Sequence, residues 1–172
     1  MMMSTYKQSI PQADTLMGAM RSMGYSFEAA IADVIDNSIS ANCNVVKLYF
    51  PSEPTDSLVV GILDDGEGMS ADVLFEAMRY GSTDSEFERQ VNDLGRFGLG
   101  MKSASLSQCR VLTVVSLHEG QLSSYSWDFN CIQERKEWIV KELEQTEIKA
   151  LPYIDSLLKF PHGTLVLWQD FD

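Results

Sequence analysis

The chain has 172 residues, of which 45% are hydrophobic and 22% charged, a composition that predicts one soluble globular domain with a full core. Its 25 acidic and 13 basic residues give a formal net charge of -12, which repels the phosphodiester backbone of nucleic acid. Direct nucleic-acid binding by this chain is therefore not expected.

Cysteine usage and the N-terminus favour a cytoplasmic protein. The three cysteines, Cys43, Cys109 and Cys131, form no CxxC pair, and their odd number indicates neither a disulfide framework nor a zinc site. The N-terminus, MMMSTYKQSI, has no basic lead and no long apolar core, and no later run approaches the roughly 18 apolar residues of a membrane span. We expect no membrane association.

Two helices are predicted at the start of the chain. Residues 11–23 have apolar side chains at helical spacing after a proline. Residues 26–43 carry an apolar stripe and begin at Ser26, a suitable N-cap. We place the boundary between an N-terminal arm with its short helix, residues 1–25, and the main domain, residues 26–172.

Short β-branched segments alternate with helical patterns in the rest of the chain. Residues 44–50 and 57–65 predict neighbouring antiparallel strands, and residues 70–78 return to helical spacing. Residues 80–96 are polar and lack strong periodicity, which predicts a loop that covers a site. The remaining predicted elements are a helix starting in the glycines of 97–109, a hairpin over 110–129 turning at Glu119 and Gly120, a strand at 137–143, a short helix at 150–160 and a closing strand at 163–171. Together they predict an α+β fold, a two-layer sandwich with a largely antiparallel sheet and helices on one face.

Glycines are dense in the segment LGRFGLGMKS, residues 94–103. The run is not a Walker A loop, because Met101 separates Gly100 from Lys102, and its glycine order differs from the dinucleotide-binding G-x-G-x-x-G. Glycines let backbone N–H groups approach an anion closely, and a helix beginning there adds its positive dipole end. We interpret the run as a polyphosphate cradle with Lys102 as a counter-charge. An ordinary tight helix start is the alternative.

The segment ILDDGEGM, residues 62–69, places a carboxylate and two glycines after an apolar strand. A calcium loop is excluded, because the twelfth position counted from Asp64 is Phe75 rather than glutamate. Asp64 beside Gly66 and Gly68 can present one carboxylate in a pocket with a bare backbone floor, where it would accept a hydrogen bond from an exocyclic amine. A strand that ends in a glycine turn is the alternative.

A polar stripe flanks the apolar one on the predicted long helix. At about 100° per residue, Asp33 and Asn37 share a face and Ser40 falls almost directly beyond them. A solvated helix face is the alternative. Thr164, in PHGTLVLW, offers a hydroxyl in the closing strand, although most such threonines only pack.

The four features follow one another in a specific order: D-x-x-x-N on a helix, D-x-G-x-G after a strand, G-x-G-x-K after a polar loop, and G-T before the last strand. In this order they resemble the GHKL ATPase superfamily, which includes gyrase, the large heat-shock chaperones, MutL mismatch-repair proteins and histidine kinases. The resemblance covers residues 26–168. DNSISA, DDGEGM and GRFGLGMKSAS are most similar to microrchidia-type (MORC) ATPases and their bacterial relatives.

The resemblance implies a Bergerat-type fold that binds ATP and Mg²⁺ between the helical layer and the sheet. Asn37 would supply its side-chain oxygen to Mg²⁺, Asp64 would receive the adenine amino group, and Thr164 would assist at adenine through a water. The base pocket would be lined by Gly66, Gly68 and Met69. The phosphates would be wrapped by Gly98, Leu99, Gly100, Met101, Lys102 and Ser103.

Two positions depart from the family pattern. Hydrolysing relatives carry a glutamate four residues before the magnesium asparagine, as the base that takes a proton from the attacking water, whereas this chain has Asp33. Because aspartate is one methylene shorter, the general-base contribution of about 10²–10⁴-fold is expected to shrink. The other departure is Ser40, where relatives often place an acidic residue.

The resemblance thus predicts a slow ATPase whose nucleotide state orders the loop at 80–96 and gates homodimerisation, with residues 1–25 as an arm onto the partner. The chain ends soon after the Gly-Thr strand, which predicts a fragment lacking the second domain of these ATPases. A nucleotide-binding switch or scaffold without meaningful turnover is the alternative. Histidine-kinase-type phosphoryl transfer is a third hypothesis, which the glycine run fits less well.

Overall fold

The computed structural model describes residues 7–22, 24–52, 58–79 and 99–171. The predicted lid at 80–96 and the predicted phosphate-binding residue Gly98 lie outside the described residues.

One antiparallel sheet organises the described part of the chain. Its strands lie in the order β1-β2-β6-β3-β4-β5, so β6, the last strand in sequence, lies at the centre. The strands are β1 (Val46–Tyr49), β2 (Val59–Asp64), β3 (Cys109–His118), β4 (Gln121–Asp128), β5 (Lys141–Glu142) and β6 (Gly163–Phe171).

Helices connect these strands, and polar side chains fix where several of them begin. The helices are α1 (Ala13–Arg21), α2 (Phe27–Ser40), α3 (Ala71–Met78), α4 (Leu99–Leu106), α5 (Phe129–Arg135), α6 (Gln145–Lys149) and α7 (Ile154–Leu157). The hydroxyl of Ser26 accepts a hydrogen bond from the backbone N–H of Ala29 at 3.2 Å, which caps α2. Ser70 caps α3 in the same way. No helix of the described ranges is long and apolar enough to cross a membrane.

The two faces of the sheet carry separate apolar cores. Because side chains alternate along a strand, Val166 and Trp168 of β6 face one core while Leu165 and Leu167 face the other. The first core lies under α1 to α5, and the second is closed by α6 and α7. The predicted α+β fold is confirmed, and the two short helices also cover part of the second face.

Helix α1 belongs to the first core. Ala13 and Met17 are both only 1% exposed. The Arg21 guanidinium donates hydrogen bonds to the carbonyls of Leu106 and Cys109, and it lies 4.9 Å from the centre of the Phe129 ring. This part of the predicted arm is therefore packed on the domain, and a contact of residues 1–25 with a partner stays a prediction.

The structure corrects several predicted boundaries. Residues 129–135 form α5 because the Asp128 carboxylate accepts from the N–H groups of Asn130 and Cys131, so the β4 strand ends earlier than predicted. The predicted strand at 137–143 pairs only at Lys141–Glu142, and the predicted helix at 150–160 covers only Ile154–Leu157. The hairpin turn at Glu119 and Gly120 is confirmed, with φ angles of 48° and 75° that suit a two-residue turn.

Candidate functional site

Asp64 is a buried carboxylate at the end of β2, with 3% of its surface exposed. The Ser38 hydroxyl on α2 donates to its Oδ2 at 2.7 Å, and the Gly66 N–H donates to its Oδ1 at 2.9 Å. Thr164 of β6 pairs with Asp64 in the sheet. Strand β2, helix α2, the following loop and strand β6 thus converge on one acidic group.

Burial raises the pKa of Asp64 above its ordinary value, because a charge is poorly solvated there. The hydrogen bonds from Ser38 and Gly66 act in the opposite direction, and the neighbouring charge of Asp65 adds to the rise. A further donor from a ligand would stabilise the ionised form. The group is therefore suited to bind an amine through a charge-assisted hydrogen bond.

Thr164 lies beside Asp64, because the two residues pair directly in the β2–β6 ladder. Across β6, Thr164 pairs with Ser116 of β3, and the two hydroxyl oxygens are 3.2 Å apart. The Ser116 hydroxyl also accepts a hydrogen bond from the N–H of Met69 at 2.7 Å. The structure therefore brings together Asp64, Met69 and Thr164, as the sequence predicts.

Two glycines of the loop after β2 lie where a side chain would not fit. A Cβ on Gly66 would lie 2.9 Å from the Ala41 carbonyl oxygen and equally close to Asp64 Oδ1. Gly68 has a φ of 70°, and a Cβ there would lie 2.2 Å from the Leu117 carbonyl oxygen. The loop backbone therefore packs directly on the end of β3 and on Ala41, with no room for a side chain at either glycine.

Gly68→Ala is expected to destabilise the fold strongly. An alanine at this positive φ costs about 1–3 kcal/mol in backbone strain. Its Cβ would also overlap the Leu117 carbonyl oxygen, a backbone atom that no side-chain movement can shift. Gly120→Ala is the matched control, because Gly120 has a φ of 75° with nothing within 4 Å of the added Cβ. Urea unfolding measures both; equal losses of unfolding free energy would contradict the tight packing of Gly68.

Asn37 lies on α2 and is 2% exposed, and its Nδ2 has no hydrogen-bond partner among the residues that the structure describes. A buried amide donor without an acceptor is costly, which indicates that a ligand or water completes it. Asp33 lies one helical turn earlier on the same face and is half-buried. The Ser40 hydroxyl instead donates to the Asp36 carbonyl of its own helix at 2.9 Å.

Lys102 is a buried cation on α4, with 2% of its surface exposed. Its ammonium group donates a hydrogen bond to the carbonyl of Arg79, the C-cap residue of α3. Burial lowers the pKa of Lys102 to about 8. The structure thus places Lys102, a predicted phosphate ligand, against the end of α3. Trp127 Nε1 also donates to this end of the helix, to the Met78 carbonyl at 2.8 Å.

The other predicted phosphate ligands follow the start of α4. Helix α4 spans Leu99–Leu106, which confirms the predicted helix in this segment; its start within the glycine run stays a prediction. Met101 is 1% exposed and belongs to the first apolar core, so only its backbone is suited to contact a phosphate. Ser103 is half-buried. Their contact with a nucleotide, like that of Gly100, stays a prediction.

The buried charge of Lys102 predicts a pH-dependent stability. Its pKa is lower in the folded chain, about 8, than the ordinary 10.5, so the unfolded chain holds more protons between these values. Stability should therefore rise with pH across this window, by on the order of 3 kcal/mol for the full change in pKa. Lys102→Met should remove this rise and be more stable than the wild type below pH 8. Urea unfolding at several pH values checks this, with the exposed Lys149→Met as control; parallel profiles for Lys102→Met and the wild type would contradict it.

Sequence analysis missed Ser38 and Ser116. Ser38 lies 26 residues before Asp64, and nothing local distinguishes it from Ser40, the other serine of DNSIS. The position of Ser116 could have been recognised, because it lies on the same face of β3 as the buried Leu112 and Val114. A polar residue at such a position indicates a buried hydrogen-bond network.

The described residues contain no group of three or more His, Cys, Asp or Glu side chains arranged to hold a metal ion. Asn37 is buried on α2, and its side-chain oxygen is the kind of hard ligand that Mg²⁺ takes, whereas its unsatisfied Nδ2 calls for an acceptor.

A buried, hydrogen-bonded carboxylate beneath a glycine loop, between a helical layer and an antiparallel sheet, defines a nucleotide-binding α+β domain. The family model described as histidine kinase-, DNA gyrase B-, and HSP90-like ATPase matches residues 25–164. The chain therefore belongs to this family, the GHKL ATPases, and the membership supports ATP binding. No curated protein matches the chain.

Proposed function

We propose that the domain binds ATP with its adenine against Asp64 and its phosphates toward Asn37 and α4. The observation that carries this proposal is the buried Asp64 carboxylate, fixed by Ser38 and Gly66 with an oxygen edge suited to an amine donor. Adenine offers an exocyclic amine to Asp64 and, beside it, a ring nitrogen that a threonine-bound water can serve; the family membership favours adenine over cytosine, which has the same pair of groups. Thr164 lies next to Asp64 and is suited to hold that water.

Mg²⁺ is the proposed cofactor, with the Asn37 side-chain oxygen as its protein ligand. When bound, the ion neutralises phosphate charge and aligns the terminal phosphate for attack. The free amide donor of Asn37 is then left to bind a phosphate oxygen or a water. Lys102, on α4, is proposed as the counter-charge for the phosphates.

Slow hydrolysis is the proposed reaction, with Asp33 as general base. Asp33 and Asn37 share one face of α2, so the base and the magnesium ligand lie side by side. The shorter aspartate reaches less far than the glutamate of relatives, which supports a low rate. The likeness to microrchidia-type ATPases and a cytoplasmic location stay predictions.

Homodimerisation controlled by ATP binding is the proposed consequence of nucleotide binding. An apolar patch beside β1 supports it: Phe27, Leu48 and Phe50 are 37%, 39% and 50% exposed. Within the described ranges β1 pairs only with β2, so its outer edge is open. Light scattering of the full-length protein with a non-hydrolysable ATP analogue tests the gating, and an unchanged monomer would contradict it.

Calorimetry of the full-length protein with ATP, with and without Mg²⁺, tests the binding proposal. We expect binding that strengthens with Mg²⁺, together with slow release of phosphate. Absence of ATP binding would overturn the proposal. Tight binding without phosphate release would replace the ATPase with a nucleotide-dependent switch.

A further inference from the structure

The two histidines of the chain both contact the loop that follows Asp64. His162 Nδ1 lies 2.5 Å from the Gly66 carbonyl oxygen, and His118 Nδ1 lies 3.0 Å from the carbonyl oxygen of the next residue, Glu67. Leu117 and Gly163 pair in the β3–β6 ladder, so the two histidines lie at the same end of adjacent strands. The two rings therefore bind consecutive peptide groups.

These contacts determine which ring nitrogen carries a proton in each histidine. A carbonyl oxygen can only accept a hydrogen bond, so Nδ1 must carry the proton in each histidine. A neutral ring then has its lone pair on Nε2. Each histidine thus binds the loop through Nδ1, and the protonation of this nitrogen can be tested.

The loop is held from its opposite side as well. The Glu67 N–H donates to the Ala41 carbonyl at 3.0 Å, and Asn42 Nδ2 donates to the Glu67 carboxylate at 2.9 Å. Gly66, whose carbonyl binds His162, is the residue whose N–H holds Asp64 Oδ1. A shift of this loop would therefore move a donor that orients the Asp64 carboxylate.

We propose that His118 and His162 are positioning residues that set the selectivity of the site for a 6-aminopurine. They act through Gly66 and Asp64, by fixing the loop with Nδ1–H donors, and do not touch the nucleotide. The proposal rests on the proposed binding of adenine at Asp64. It adds a selectivity determinant located on the ends of β3 and β6.

Asparagine and glutamine substitutions of the two histidines distinguish loss of the Nδ1–H hydrogen bond from a change in side-chain size. The asparagine amide nitrogen reaches the position of Nδ1, whereas the glutamine amide nitrogen reaches that of Nε2. His162→Asn and His118→Asn should therefore keep ATP affinity near that of the wild type. His162→Gln and His118→Gln should each weaken ATP binding about three- to tenfold, as expected for one lost hydrogen bond.

The readout is the dissociation constant of the full-length protein for ATP and for purine riboside triphosphate, which lacks the 6-amino group. The glutamine variants should lose affinity for ATP but little for the analogue. Equal effects of asparagine and glutamine at both positions, or equal losses for the two nucleotides, would overturn the proposal. Absence of ATP binding by the wild type would instead show that the proposed function has failed.

A spectroscopic measurement tests the same donors without any variant. Nitrogen-15 NMR of the neutral imidazoles shows which ring nitrogen carries the proton, and the domain has two rings to assign. We expect the Nδ1–H tautomer for both. The Nε2–H tautomer at both rings would overturn the proposal, because neither ring could then donate to the loop.

Discussion

Replacing Asp64 by asparagine is expected to weaken ATP binding about ten- to hundredfold, the usual cost of losing a charge-assisted hydrogen bond. Asparagine has nearly the same shape, but it presents one neutral oxygen and one NH₂ group. Its oxygen can still accept from Gly66, and its NH₂ group can donate to the Ser38 hydroxyl, which is able to accept. The adenine amine then meets a weaker acceptor or a second donor. Calorimetry with ATP measures the loss.

The same substitution should not reduce stability at neutral pH. The pKa of Asp64 is higher in the folded chain than its ordinary 3.8, because burial disfavours the charge. The carboxyl group therefore stabilises the fold most when protonated, below pH 3.8, and this contribution is lost as the pH rises through the folded-state pKa. At pH 7 Asp64→Asn removes a buried charge that opposes folding. Urea unfolding should show an unchanged or increased free energy of unfolding.

Asp65→Asn is the matched control, because it removes the same charge from the next residue. The Asp65 carboxylate accepts from the N–H groups of Asn44 and Val45 at 2.7 and 2.8 Å, outside the proposed pocket. These bonds lower the pKa of Asp65, so its contribution to stability is present above pH 3.8 and lost as the pH falls through the lowered pKa. We expect lower stability and little change in ATP affinity. Equal loss of affinity in both variants would contradict a specific role of Asp64.

Asp64 and Lys102, two charged groups of the proposed site, are both buried at a cost to the fold. Burial raises the pKa of Asp64 and lowers that of Lys102, so each group is less stable as an ion in the folded chain than in water. An amine donor for Asp64 and a phosphate for Lys102 would both restore the charged forms. Ligand binding should therefore stabilise this domain strongly.

Local chemistry explains which parts of the structure the sequence could predict. The Ser26 cap and apolar stripe of α2, and the two-residue turn at Glu119 and Gly120, depend on neighbours in sequence. Helix α5 was missed because one side chain, Asp128, ends a strand pattern that otherwise continues into Phe129. Trp138 and its two apolar neighbours pack on the first core, whereas β5 covers Lys141–Glu142, so the apolar run at 138–140 is core packing rather than the predicted strand.

In the candidate site too, features set by neighbours in sequence could be predicted, and those set by long-range contacts could not. Asp64, Gly66 and Gly68 could be proposed from one short segment, because a strand end and a tight turn are encoded locally. Ser38 and Ser116 act across 26 and 47 residues, and only the register of the sheet and the packing of α2 bring them to Asp64 and Met69. The two histidines are likewise defined by the ends of β3 and β6. Long-range pairing therefore completes a site whose reactive groups the sequence indicates.

Replacing Asp33 by asparagine should lower phosphate release by about 10²-fold, the low end of the usual general-base contribution, while leaving ATP affinity nearly unchanged. The amide keeps the size of the side chain and its place on α2 but cannot accept a proton from water. Steady-state phosphate release by the full-length protein measures the rate, and calorimetry measures the affinity. Asp36→Asn is the control, because Asp36 is an exposed aspartate of the same helix, and its substitution makes the same change of charge and shape.

Asp33→Glu should have the opposite effect and raise the rate. The added methylene extends the carboxylate from the same half-buried position on α2, one turn before Asn37, toward the water that attacks the terminal phosphate. A merely structural role of Asp33 would instead make the glutamate variant slower, since a larger side chain must then fit beside Asn37. If asparagine and glutamate both leave the rate unchanged, Asp33 is not the base. The direction of the glutamate effect therefore distinguishes a short catalytic base from a solvated helix face.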